Sequence, residues 1–183
     1  MLFRSWRGRM KLADRRMIAA SPDRVWAALL DPQVLQPCIP GCESMTGSAL
    51  AGYEAVLVQK AGPLSFRVTG IVTLSDIVPG QGATVSAAAK GGKAGVAAGG
   101  AKIRLAAEGQ GTRLSYEVEA NVGGKIAQLG SRIIEGFAWR LADQFFERFQ
   151  AVLDGKPAVA PDAAAKSGWL GRLFAGPRGG GDA

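Results

Sequence analysis

The 183-residue chain has no histidine, only two cysteines and few aromatic residues: four Trp, two Tyr and seven Phe. Without histidine, Ser-His and Cys-His catalysis and all histidine metal sites are excluded. Cys38 and Cys42 are too few for a disulfide framework, and no third Cys completes a zinc set with them. A buried thiol pair in a structural role accounts for them better. Long apolar runs are also missing: none approaches the ~20 residues of a membrane-spanning helix. Arg4, Arg7 and Arg9 have no apolar stretch behind them, which argues against a secretory signal and for a cytosolic address.

Acidic residues are the scarcer charge, 15 against 22 basic ones, for a net charge of +7. The excess is local. Residues 1–16 carry six basic side chains against Asp14, residues 154–183 carry four against three acidic, and the span between is close to neutral. A nucleic-acid-binding domain concentrates basic residues on its fold. Here they sit mainly in an arm, so no nucleic-acid partner is expected. The carboxylates are scattered, with Glu117 and Glu119 on the solvent face of a strand, and no pair is placed for general acid–base work.

What the chain does have is two clear periods. Gly123–Leu153 reads as one long helix at 100° per residue. Ile126, Gly130, Ile133, Ile134, Phe137, Leu141, Phe145 and Val152 share an arc, opposite Lys125, Arg132, Asp143, Glu147 and Gln150. Trp139 and Phe146 fall at the edge of that arc, for burial under a neighbouring strand or for contact with a partner. Before it, the period is two. Leu64, Phe66, Val68, Val72 and Leu74 face one way along a strand, Ser65, Arg67, Thr69, Thr73 and Ser75 the other. Similar strands are expected at Lys11–Ala20, Thr46–Leu50, Tyr53–Lys60, Ala83–Lys90, around Ile103–Ala107 and over Leu114–Val122.

Ser21-Pro22-Asp23 opens a short helix that stops before Asp31-Pro32, and a helical turn over Gln33–Gln36 runs into Pro37. Half-polar strands joined by short turns make an antiparallel sheet with one solvated face. The long helix is the only large apolar surface available to cover the other. The sheet residues beneath it include Ala83, Ala87, Ala89, Ala107 and Ala120. Small side chains there mean either close packing or room for a ligand.

The Gly-rich run Lys90-Gly91-Gly92-Lys93-Ala94-Gly95 fails as a phosphate loop on spacing and joins strands instead of opening a helix. Residues 1–9 form an extension that is either a small membrane-touching arm or sequence upstream of a start at Met10. Residues 10–153 form the folded domain and 154–167 an Ala/Pro-rich linker. In 168–175, Trp169, Leu170, Leu173 and Phe174 share one helical face with Arg172 on the other, suited to membrane contact or to docking on the body. A Gly-rich end, 176–183, is expected to be disordered.

Four ordered motifs resemble the CoxG family of carbon monoxide dehydrogenase subunits: Cys38-Ile-Pro-Gly-Cys42-Glu43, Lys60-Ala-Gly-Pro63, Gly91-Gly-Lys-Ala-Gly95 and Gly123-Gly-Lys-Ile-Ala-Gln-Leu-Gly-Ser-Arg132. Trp26, Ala142-Asp143 and Phe145-Phe146 agree with it. The resemblance implies an α+β helix-grip fold of the START-like (SRPBCC) kind. A curved antiparallel sheet of about six or seven strands would grip a long C-terminal helix around an apolar cavity, with two short helices after the first strand. It also implies a non-catalytic accessory of a molybdenum hydroxylase of the CO dehydrogenase type, recruiting the enzyme to the cytoplasmic membrane and binding a quinone that links it to respiration.

On this basis the expected ligand wall is Phe66, Leu129, Gly130, Ile133, Phe137 and Leu141, with Cys38 and Pro40 beside it. The ligand is an isoprenoid quinone or similar lipid, and no cofactor is covalently bound. Membrane contact falls to Trp169, Leu170, Arg172, Leu173 and Phe174, and location to the inner face of the cytoplasmic membrane. The competing readings are a START-like cyclase or hydrolase acting on an apolar substrate, and an interaction module with a solid interior.

Overall fold

A computed structural model describes residues 8–61 and 63–158. Strand β1 (Gly8–Ile18) is followed by helices α1 (Pro22–Leu30) and α2 (Pro32–Cys38). Six more strands come next: β2 (Cys42–Ser48), β3 (Gly52–Ala61), β4 (Leu64–Val78), β5 (Gly82–Lys90), β6 (Val96–Glu108) and β7 (Gly111–Gly123). A 3-10 turn over Ile126–Leu129 leads into helix α3 (Ser131–Leu153). The seven strands form one antiparallel sheet in the order β1-β7-β6-β5-β4-β3-β2. Each connection within β2–β7 is a hairpin between neighbours, and the two short helices carry the chain from one sheet edge, β1, to the other, β2.

The strand pattern follows the alternation in the sequence. Along β4, Leu64, Phe66, Val68, Val72 and Leu74 turn inward and are partly covered, while Ser65, Arg67, Thr69 and Thr73 are exposed. β1 starts at Gly8, which pairs with Val122, so the sheet takes in two residues from the expected extension. The remaining arm, and the expected membrane-contact residues Trp169–Phe174, lie outside the described residues.

Two helix boundaries differ from the sequence reading. α2 runs through Pro37 to Cys38 instead of stopping before it. Proline removes one intrahelical bond, but the flanking Leu35 N–H to Asp31 O and Ile39 N–H to Leu35 O bonds, each 3.0 Å, hold the turn. Asp31 adds an N-cap, its Oδ1 accepting from the Gln33 N–H at 2.9 Å. The long helix starts at Ser131 and not near Gly123, because Gly124 (φ +79°) and Gly130 (φ +90°) both break the helical path. It is therefore roughly 35 Å long, and Ile126 lies outside its face.

The solid core is at one end of the molecule. Phe149 and Val25 have no exposed surface, and they pack with Cys38, Leu105, Leu114, Ile18 and Leu153. The C-terminal half of α3 thus sits on β1, β6, β7 and both short helices. Thr112, also fully buried, is satisfied by donating its hydroxyl proton to Ala20 O at 2.7 Å.

Candidate ligand site

α3 crosses the inner face of the sheet, and its two halves meet different surroundings. The C-terminal half is locked down by aromatic packing: Phe145 stacks on Phe149 at 5.5 Å, and Phe146 on Tyr116 of β7 at 5.5 Å. Arg16 of β1 reinforces this side. Its guanidinium bonds Asp143 of α3 at 2.6 Å, lies 2.8 Å from the Asp14 carboxylate and caps the Phe146 ring at 5.2 Å. Gln150 Oε1 accepts the Ala19 N–H at 2.9 Å. Asp143 and Gln150, on the arc that the sequence marks as solvent-facing, therefore tie α3 to β1 and the residue after it.

The N-terminal half is far less supported. Of its residues only Ile134 is buried, Phe137 and Leu141 are half-covered, and Ile133 is 44% exposed. The closest backbone approaches of α3 are to α2, β1 and the 3-10 turn before it, with fewer to α1 and β3. Phe66, Val68 and Val72 face inward on β4, but the inner rows toward β5, β6 and β7 are mostly small. Pairing aligns Ala120, Gly99, Ala87 and Val72 in one inner row, and Val122, Ala97, Ala89, Gly70 and Ala55 in the next. At ~4.8 Å per strand, these two rows make a trough about 15–19 Å long. Ala87 faces inward and is nevertheless exposed.

A hollow of about 510 Å³ opens beside this half of α3. One wall is Phe137, Arg140, Leu141, Gln144 and Arg148 of α3. The facing wall is the Pro40–Glu43 segment and Val58–Lys60 at the end of β3. That facing wall is fixed by hydrogen bonds. The Val58 N–H donates to Gly41 O at 2.9 Å, Gln59 Nε2 donates to Pro40 O at 2.5 Å, and Gln36 Nε2 donates to Glu43 O at 3.0 Å. Gly41 has φ +72°, and a Cβ on it would collide with Val58 O, so only glycine fits. This contact is the physical content of the Cys38–Glu43 motif. The glycine motifs at 91–95 and 123–124 interlock likewise, since a Cβ on Gly95 would overlap Gly123 O.

The structure brings three of the expected wall residues together in the hollow: Pro40, Phe137 and Leu141. Phe66 lies on the inner face of β4, paired with Gln59. Leu129 ends the 3-10 turn, Gly130 precedes α3 as its N-cap, and Ile133 follows on the open side of the helix. Cys38 stands apart: it is fully buried in the core, and burial pushes its thiol pKa up to about 11 despite nearby Arg148. It is neutral and inert at physiological pH. Cys38 and Cys42 are both free thiols.

Arg140, Gln144 and Arg148 join the hollow without having stood out in the sequence. Their i, i+4 spacing is the available signal, but charged residues on a long helix usually read as a solvated face. A larger concavity, about 1120 Å³, lies across β1, β5, β6 and β7. The strand register puts Arg15, Lys102, Arg104, Arg113 and Glu117 there on the face away from α3. It is broad and charged, and the hollow beside α3, which sets Phe137, Leu141, Pro40 and Val58 among polar groups, is the better candidate for a small ligand with an apolar part. Among the described residues no cluster of three metal-ligating side chains occurs, and no helix is long and apolar enough to cross a membrane.

A seven-stranded antiparallel sheet wrapped on a C-terminal helix, with two short helices after the first strand, defines the helix-grip class, the START-like or SRPBCC architecture. Solved structures agree. A conserved protein from Geobacillus kaustophilus is 27% identical, with a TM-score of 0.75 over 80% of this chain and 96% of its own. A putative uncharacterized protein from Rhizobium leguminosarum, 15% identical, has a TM-score of 0.63 over 81% and 96%. Ara h 8.0201, 12% identical, has a TM-score of 0.57 over 81% of this chain and all of its own, 100%. No curated protein matches the chain in sequence. Residues 15–154 match the family model of the carbon monoxide dehydrogenase CoxG subunits, and the chain belongs to that family.

Proposed function

We propose that this protein is a non-catalytic carrier and adaptor for a molybdenum hydroxylase of the CO dehydrogenase type. It takes an isoprenoid quinone or similar lipid between α3 and the sheet, and contacts the inner face of the cytoplasmic membrane through residues 168–175. The observation that carries the ligand half is the mismatch between the two ends of α3: a filled core at Phe149, against a half-covered Phe137 and a 44% exposed Ile133 over a sheet whose middle strands carry Ala and Gly on their inner rows. A fold that needed only stability would fill that trough, since an unfilled apolar gap forfeits packing energy. Family membership supports the association with CO dehydrogenase. With no histidine and no paired carboxylates in the hollow, the groups present suit binding better than turnover.

The test is uptake. Native mass spectrometry of gently purified protein, followed by titration with a short-chain ubiquinone, is expected to show one lipid-sized adduct per chain. Absence of any adduct, together with no quinone uptake, would reject the carrier reading.

A further inference from the structure

The hollow beside α3 is not uniformly apolar, and its charged groups are nearly all of one sign. Arg140, Arg148 and Lys60 reach it from α3 and β3, and among the described residues none of them has an ion-pair partner. Glu43, the one carboxylate on the rim, is already engaged by Arg67 at 2.5 Å. The Arg148 Nε is buried and has no hydrogen-bond acceptor. A buried N–H without an acceptor is costly, and more so on a charged group. An acceptor therefore belongs beside it. Beside these cations, Phe137, Leu141 and Pro40 supply apolar wall in the same hollow.

A cationic cluster beside an apolar wall is the complement of an amphiphile with an ionised head. We propose that the site selects a ligand whose head is an anion, a carboxylate or a phosphate, set against Arg148 and Arg140 while its chain runs under α3. This rests on the carrier reading, and it goes further by distinguishing an acidic lipid from a neutral quinone. Arg148 is the anchoring group, because its Nε is already desolvated and directed by the helix. Arg140 and Lys60 are exposed and add attraction that salt screens.

The experiment compares heads on one chain. Calorimetric titration uses dodecanoate, dodecanol, a short-chain ubiquinone and inorganic phosphate with the full-length protein. Dodecanoate is expected to bind roughly tenfold or more tighter than dodecanol, the difference a charge-assisted hydrogen bond makes. Arg148→Gln should reduce that difference to near unity, chiefly by weakening dodecanoate, with urea unfolding checking that the variant keeps its fold. Arg140→Gln, at an exposed position where substitution is expected to leave the fold intact, should weaken dodecanoate a few-fold. Equal binding of dodecanoate and dodecanol, or tighter binding of the quinone than of dodecanoate, overturns the anionic-head proposal while the carrier reading stands. Phosphate binding as tightly as dodecanoate overturns the amphiphile in favour of a bare anion site. No binding of any chain-bearing ligand overturns both readings together.

Discussion

The Cys38 thiol packs among Val25, Phe149 and Leu153 with no exposed surface, and burial outweighs the opposing pull of Arg148 on its proton. The folded chain keeps that proton up to about pH 11, whereas an unfolded thiol releases it near ~8.5. A pKa raised on folding gives stability that is fully present below the unfolded value and lost as pH rises toward the folded one. The unfolding midpoint in urea should therefore drop as pH rises from about 7.5 to about 10.5, and drop less in Cys38→Val. An equal drop in both would assign the sensitivity to Tyr53 and Tyr116, whose hydroxyls burial also pushes upward. The lack of histidine and of a third Cys makes a structural Cys38 legible in the sequence, but its place in the core and not beside the ligand wall, where the motif suggested it, depends on tertiary packing. The Arg16 clamp is not, because Arg16 and Asp143 are 127 positions apart and their meeting depends on how α3 lies across β1.

Elements show the same division. The period of α3 makes it legible as an amphipathic helix, yet not where it starts or where its buried face is centred. Gly130 stands at a position the apolar arc would include, so periodicity alone carries the helix across the break. The arc omits Phe149 and includes Ile133, although Phe149 is fully buried and Ile133 is 44% exposed. Periodicity assumes that the covering surface runs the helix's whole length, and here it covers one half. The strands are more legible because each inner row is fixed by pairing with neighbours of the same period. The two halves of α3 should separate in mutants. Phe149→Ala is expected to lower unfolding free energy by about 3–5 kcal/mol, as for other buried aromatic truncations. Ile133→Ala should cost under ~1 kcal/mol and instead reduce uptake of the apolar ligand. Urea unfolding and ligand titration on the same two variants check this, and a large stability loss at Ile133 would mean that the trough is filled by the protein itself.

At the scale of the whole molecule, charge is partitioned as well as packing. Residues 17–153 are nearly neutral, while six of the 22 basic side chains lie within the first 16 residues. The net basic charge thus lies mainly outside the central span of the chain. In the tail, burying Trp169, Leu170, Leu173 and Phe174 is worth ~1.5–3 kcal/mol each. Ordering about eight residues costs ~1–2 kcal/mol apiece, so the apolar face alone leaves binding marginal. Lys166, Arg172 and Arg178 add ~1 kcal/mol each only where the surface is anionic. The expected behaviour is reversible binding to phosphatidylglycerol-containing vesicles, weakened by salt and nearly absent on phosphatidylcholine alone. Deleting residues 168–183 should abolish co-sedimentation with the anionic vesicles while leaving circular dichroism, urea stability and dodecanoate affinity unchanged. Undiminished sedimentation after the deletion would move the contact to the basic N-terminal arm. A loss of dodecanoate affinity along with sedimentation would show instead that the tail docks over the hollow, where Arg148 and Phe137 would be the groups it covers.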